Sequence, residues 1–338
     1  MNSADLEQRY QDHIEAMKCL CRDIASALDG ASFQIEPCET FGASSHLQDG
    51  KGVISIRRGA VDNLGYFFKL ALSHPDVLMG IGDSRDEKIR KINLEHCNWS
   101  DRLSLVTGKL LHDGIPHDVA PANRSRREAA ACLANRALDF LFFHECGHLA
   151  FRHPLYRKAC SESGGMCKCA KDGPLCKDIA HGLEHAADHF AATMLDNISG
   201  VGVAARSAED SVDLGLLRHA MIAIGVLFFV MDSERLDLAN LEGGSHPHPS
   251  VRLLSVMKYM YSHANAIGGK DRFTEVATQW DRVIKELRGL GMTLGIPAHI
   301  IRALDEKYED VEARMRWGVE CVKRVRTTKP GGCIKNPG

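Results

Sequence analysis

The sequence predicts an α+β protein that is predominantly helical. Long stretches of helical periodicity carry that expectation, beginning with 4–29 and sharpening from residue 124 onward. Only one short β-branched run, Val53-Ile54-Ser55-Ile56, lies between glycines as a strand would. A chain of 338 residues with 44% hydrophobic and 25% charged residues has the composition of a globular protein and can bury a substantial core.

In chain order, residues 4–29 place Leu6, Ile14, Met17, Leu20, Ile24 and Leu28 on one helical face. A polar stretch follows, then the strand in GKGVISIRRG (50–59), then a helix in AVDNLGYFFKLALSHP that ends near Pro75. Residues 76–122 are punctuated by Gly and Pro, and no element is assigned there. NRSRREAAACLANRALDFLFFHECGHLAFRHP forms a long helix, capped at Asn123 or Ser125 and stopped by Pro154. A Cys-rich loop (160–176) leads to a second helix over about 179–197, and an apolar helix covers 211–232. Helices at 250–264, 271–289 and about 297–326 complete the series, with 327–338 a disordered tail. The expected division is a domain over 1–265, a helical extension over 266–326 and the tail.

Charge excludes some partners. With 42 basic and 44 acidic residues, neither nucleic acid nor an anionic membrane surface is expected. The run AMIAIGVLFFVM (220–231) is short of the roughly 20 apolar residues of a membrane span, so it reads as a core helix. The charged N-terminal segment has no signal-like apolar core, and the 12 cysteines are then expected as thiols or metal ligands in the cytoplasm.

The chemistry concentrates in FLFFHECGHLAFRH (140–153), which holds H-E-x-x-H. Positions i and i+4 share a helix face, so His144 and His148 can grip one zinc ion, with Glu145 set toward the attacking water as general base. Zinc needs a third protein ligand, and LEHAADHFAATML offers Glu184, with Asp188 one turn on as the outer acceptor for a ligand histidine N–H. Ala186, Ala187, Ala191 and Ala192 allow the two helices to approach closely, while His185 and His189 fall on another face. A salt-bridged surface helix is the alternative for this second segment.

HECGH followed by E-x-x-A-D-x-F-A (184–191) resembles the gluzincin metallopeptidases of the HtpX/CAAX-prenyl-protease group, and is similar to the ImmA/IrrE-type and Lit-type phage-related peptidases. SHPHPSVRLLSV (245–256) resembles a downstream His-Pro…Arg motif of the HtpX-like group, matching at His246, Pro247 and Arg252. The resemblance implies a zincin-like fold with an active-site helix, a second ligand helix and a small sheet whose edge strand, matched by GVISI, lies beside the active helix. It further implies a zinc-dependent endopeptidase acting on a protein or peptide substrate, with His246 stabilising the oxyanion and Arg252 supporting the site. Set against this family resemblance, about 74–122, between the strand and HECGH, is expected to be an insertion. His248 is the alternate in a shifted register, and a rigid turn before a helix is the plain reading of HPHP.

Cys160, Cys167, Cys169 and Cys176, spaced C-x6-C-x-C-x6-C, form a candidate second, structural zinc site; free thiols or a redox-sensitive loop remain alternatives. Cys146 is expected to pack in the helix core. Two other functions stay open: a zinc-bound regulator of metallopeptidase fold acting on a repressor- or toxin-type partner, and hydrolysis of a non-peptide amide.

Overall fold

The computed structural model describes residues 3–20, 25–87, 119–155, 174–198, 214–231 and 247–294, together with positions 309, 313, 316 and 320. In chain order the elements are α1 (Ser3–Leu20), β1 (Ser32–Glu36), β2 (Ala43–Gln48), β3 (Lys51–Arg57), α2 (Arg58–Leu72), α3 (Arg124–Ala150), α4 (Pro174–Ile198), α5 (Leu214–Met231) and α6 (Pro249–Leu294). The expected class holds: helices dominate, with one small sheet. No helix among the described residues is long and apolar enough to cross a membrane.

The sheet order is β1-β3-β2, with β1 parallel and β2 antiparallel to β3. The GVISI run is therefore the central strand and not the edge. Its residues from Gly52 to Ile56 are buried and it is hydrogen-bonded on both sides, which suits a continuous apolar run. The polar ASSHLQ of β2 takes the exposed edge. Asp49 (φ 51°) and Gly50 (φ 78°) close the β2–β3 hairpin, the left-handed pair that a two-residue turn requires.

Helix α3 is the central element, flanked by α2, α4, α5 and the β2–β3 face of the sheet. Asn123 caps it, its side chain accepting from Ser125 N and Arg126 N. From Ala137 to Leu149 every residue is buried, so this part of the helix is apolar all round except for Asp139 and the groups of the site. Tyr10 of α1 stacks on Phe142 at 4.4 Å between centroids, and Arg9 reaches Asp139 Oδ2 at 2.6 Å. Leu6, Ile14 and Met17 are buried as their spacing predicts, whereas Leu28, expected on the same helix, is buried in a turn beyond α1.

Arg126, on the first turn of α3, is fully buried. Its guanidinium donates to the carbonyls of Leu72, His74, Val77, Leu78 and Ile81 at 2.8–3.3 Å. Glu87 lies 3.6 Å from it and accepts from Ala122 N and Asn123 N at 2.8 and 3.1 Å. One buried ion pair thus ties the turns after α2 to the start of α3.

Other elements depart from expectation. Helix α4 starts at Pro174, where proline suits the first helical position, so Cys176 lies on a helix and not in the preceding loop. The helices expected at 250–264 and 271–289 are one helix, α6; the boundary placed between 265 and 266 falls inside it. Gly268 and Gly269 do not break it, because a mid-helix glycine costs only about 1 kcal/mol relative to alanine. Residues 88–118, the tail 327–338, most of 297–326, and His246, Cys160, Cys167 and Cys169 lie outside the described residues.

Candidate metal centre

His144, Glu145 and His148 sit on the buried part of α3 at 3%, 7% and 2% exposure, so each needs a partner inside the protein. Helix α4 supplies partners because it crosses α3 very closely. A Cβ on Gly147 would meet Ala187 Cα at 3.0 Å and Phe190 Cβ at 3.1 Å. The glycine of HECGH and the small residues of α4 thus bring Glu184 and Asp188 into reach.

The two histidines turn their Nε2 atoms toward each other at 3.0 Å. Glu184 faces both, its oxygens 3.3 Å from His144 Nε2 and 3.5 Å from His148 Nε2. His144 Nδ1 stands 2.9 Å from Asp188 Oδ1, in an ion-pair contact whose alignment falls short of a hydrogen bond. Arg252 of α6 grips Asp188 with two bonds, Nε to Oδ2 at 2.8 Å and Nη2 to Oδ1 at 2.7 Å. Its guanidinium lies over the Phe228 ring at 4.7 Å and reaches to 4.0 Å from Glu184 Oε2.

Burial alone would push both carboxyls up, but their cationic neighbours outweigh it. His148, His144 and Arg252 hold Glu184 well below the usual carboxylate range, and Arg252 with His144 does the same for Asp188. Burial disfavours the charged form of His144, yet the carboxylates of Asp188 and Glu184 beside it lift it to about 9. The pocket thus holds two buried carboxylates whose charge is balanced by Arg252 and the histidines.

The donor set fits a metal ion. His144, Glu145 and His148 each bring a ligand-type atom within 4.8 Å of the others. Proximity admits Glu145 as the carboxylate beside the histidines, and the two glutamates differ in their contacts. Glu184 faces both Nε2 atoms, whereas Glu145 Oε2 accepts from Ser45 Oγ of β2 at 2.8 Å. Two imidazoles and one carboxylate, with a position left open, form a common zinc set.

Of the remaining sequence candidates, Arg252 joins the site through Asp188, while His248 caps α6 by accepting from Ser250 N at 3.2 Å. His189 Nε2 pairs with Ser255 Oγ at 2.8 Å and its ring stacks on Tyr259. Cys146 packs in the core and burial pushes its thiol up. Sequence reasoning missed Ser45 and His153, whose Nδ1 lies 2.6 Å from His148 Nδ1. The Asp49-Gly50 pair between ASSHLQ and KGVISIR signalled the hairpin that carries Ser45.

No curated protein and no solved structure matches the chain significantly. A family model does: the one described as peptidase U49 matches residues 80–270. The match covers more than half of the sequence and includes α3, α4, α5 and the start of α6, hence every helical residue of the site described above. The chain belongs to the peptidase U49 family.

Proposed function

We propose that this peptidase is a zinc-dependent endopeptidase of zincin type, with His144, His148 and Glu184 holding the metal. The reading rests on the convergence of both Nε2 atoms with the Glu184 carboxylate in one buried pocket. Zinc bound there supplies Lewis-acid polarisation of the scissile carbonyl and acidifies water.

The chain's own groups do the rest. Glu145 takes a proton from the attacking water and returns it to the leaving amine, a role suited to a carboxylate that is held by Ser45 beside the two histidines. Asp188 faces His144 Nδ1 at 2.9 Å and favours the proton there, which keeps the Nε2 lone pair turned inward, while Arg252 locks Asp188 in that pose. His246 remains the proposed oxyanion donor, on the motif resemblance; His248 anchors the following helix.

Metal analysis of the purified full chain tests the assignment. Wild type is expected to hold one zinc per site set, and His144→Ala, His148→Ala and Glu184→Ala to lose it, while Glu145→Gln keeps it and loses proteolysis. Zinc retained in all three ligand variants would defeat the reading, as would zinc lost with Glu145→Gln alone. A structural zinc at Cys160, Cys167, Cys169 and Cys176 would appear as a second equivalent unaffected by these substitutions.

A further inference from the structure

Helix α3 ends in an unusual way. Phe151 caps it, its N–H reaching Gly147 O at 3.0 Å, and Arg152 then adopts φ 58° while its N–H reaches Leu149 O at 2.9 Å. A left-handed conformation favours glycine or asparagine at such a position, and for arginine it costs roughly 1 kcal/mol. The turn folds the chain back, and the next residue, His153, is buried against the helix that it has just left.

There the His153 ring meets the His148 ring at 4.9 Å between centroids, with the two Nδ1 atoms 2.6 Å apart. Phe151 lies 5.7 Å from the His153 ring and itself packs edge-on against Phe190 of α4, walling the imidazole in place. Two imidazole nitrogens at that distance share one proton, and its owner decides what His148 can do. If His153 donated, the proton of neutral His148 would sit on Nε2, aimed into the ligand set. If His148 donates, its Nε2 lone pair is free for a cation.

We propose that His153 is a positioning residue of the metal centre, accepting the Nδ1–H of His148 and so fixing the tautomer that offers Nε2 to the metal. It does for His148 what Asp188 does for His144, but with a neutral acceptor in place of a carboxylate. The inference rests on the metal-site reading above, and explains why a non-glycine residue is held in the left-handed turn at 152: the turn delivers His153 to its partner.

The test is zinc affinity of the full chain by competition with a chromophoric chelator, supported by the absorption spectrum of the cobalt-loaded protein. His153→Phe keeps a ring but removes the acceptor; His153→Asn places an amide oxygen close to where Nδ1 lies. The phenylalanine variant is expected to bind zinc about 10- to 100-fold more weakly, with the asparagine variant within about threefold of wild type. If His153→Phe does not fold, His153→Leu, which also lacks an acceptor, takes its place. Unchanged affinity in the phenylalanine variant, or equal losses in the phenylalanine and asparagine variants, would overturn the role of His153 and leave the site itself standing. A wild-type protein whose zinc binding does not depend on His144 would overturn both.

Discussion

Ser45, on the exposed edge of the sheet, donates a hydrogen bond to Glu145 on the buried central helix, Oγ to Oε2 at 2.8 Å. The bond links the strand that borders the site to the proposed general base, and orients its carboxylate. Ser45→Ala is expected to lower kcat about tenfold, the worth of one hydrogen bond to a charged group, with KM and zinc content little changed. Ser45→Thr, which keeps the hydroxyl, should restore most of the rate. A rate unchanged by alanine, or lost with the metal, would contradict this role.

Arg252 and Asp188 form a buried ion pair with two hydrogen bonds. Arg252→Ala strands a carboxylate inside the protein and should destabilise the fold by about 3–5 kcal/mol, read by urea unfolding. Arg252→Lys keeps charge but loses the two-pronged grip, and should recover only part of that stability. Equal stability of wild type and alanine variant would show that Asp188 is not held by this pair.

The close crossing of α3 and α4 makes Gly147 sensitive. Gly147→Ala gains helix propensity of about 1 kcal/mol but presses Cβ on Ala187 and Phe190, so a net loss of stability of roughly 1–2 kcal/mol is expected. Because the displaced helix carries Glu184, zinc affinity should fall as well. An increase in stability with unchanged affinity would contradict the geometry.

Arg126 satisfies five backbone carbonyls in the interior. Arg126→Leu leaves those carbonyls without their donor and Glu87 without its buried cation, and is expected to cost about 3 kcal/mol or more. Limited proteolysis should then cut first within 73–87, the segment that the guanidinium holds. Cleavage spread over the chain with no preference for that segment would argue against a local role.

His13 on α1, stacked on Phe143, is held down to about 4 from the usual 6.5, by burial first and then by Arg9. A histidine kept neutral in the fold binds its proton more readily when unfolded. Its contribution is therefore complete above about pH 6.5 and is lost as pH falls toward about 4, on the order of 1 kcal/mol given its partial exposure. The stability difference between His13→Phe and wild type should change across that window and stay flat above it.

Much of the site was legible because helical spacing is rigid. His144 and His148, and Glu184 and Asp188, lie one turn apart, and buried helices leave such residues few ways to face except toward each other. Arg252 came from a motif, and the structure explains it through Asp188. Less legible were contacts made by exposed or bent backbone. Ser45 sits in a polar edge strand with no apolar alternation to announce it, and His153 is brought back by a left-handed arginine that no propensity favours. The strand at 53–56 was found but placed at the edge, since apolar content locates a strand and only its neighbours show whether both sides are paired.

The most direct test of the account is a mass-spectrometric survey of new protein N-termini in cells expressing wild type or Glu145→Gln, with zinc content and folding checked in both. The account predicts cleavage sites present with wild type and absent with the variant: a few for a dedicated substrate, many for a general protease. Identical N-termini from two folded, zinc-loaded proteins would contradict the proposal that Glu145 drives peptide hydrolysis.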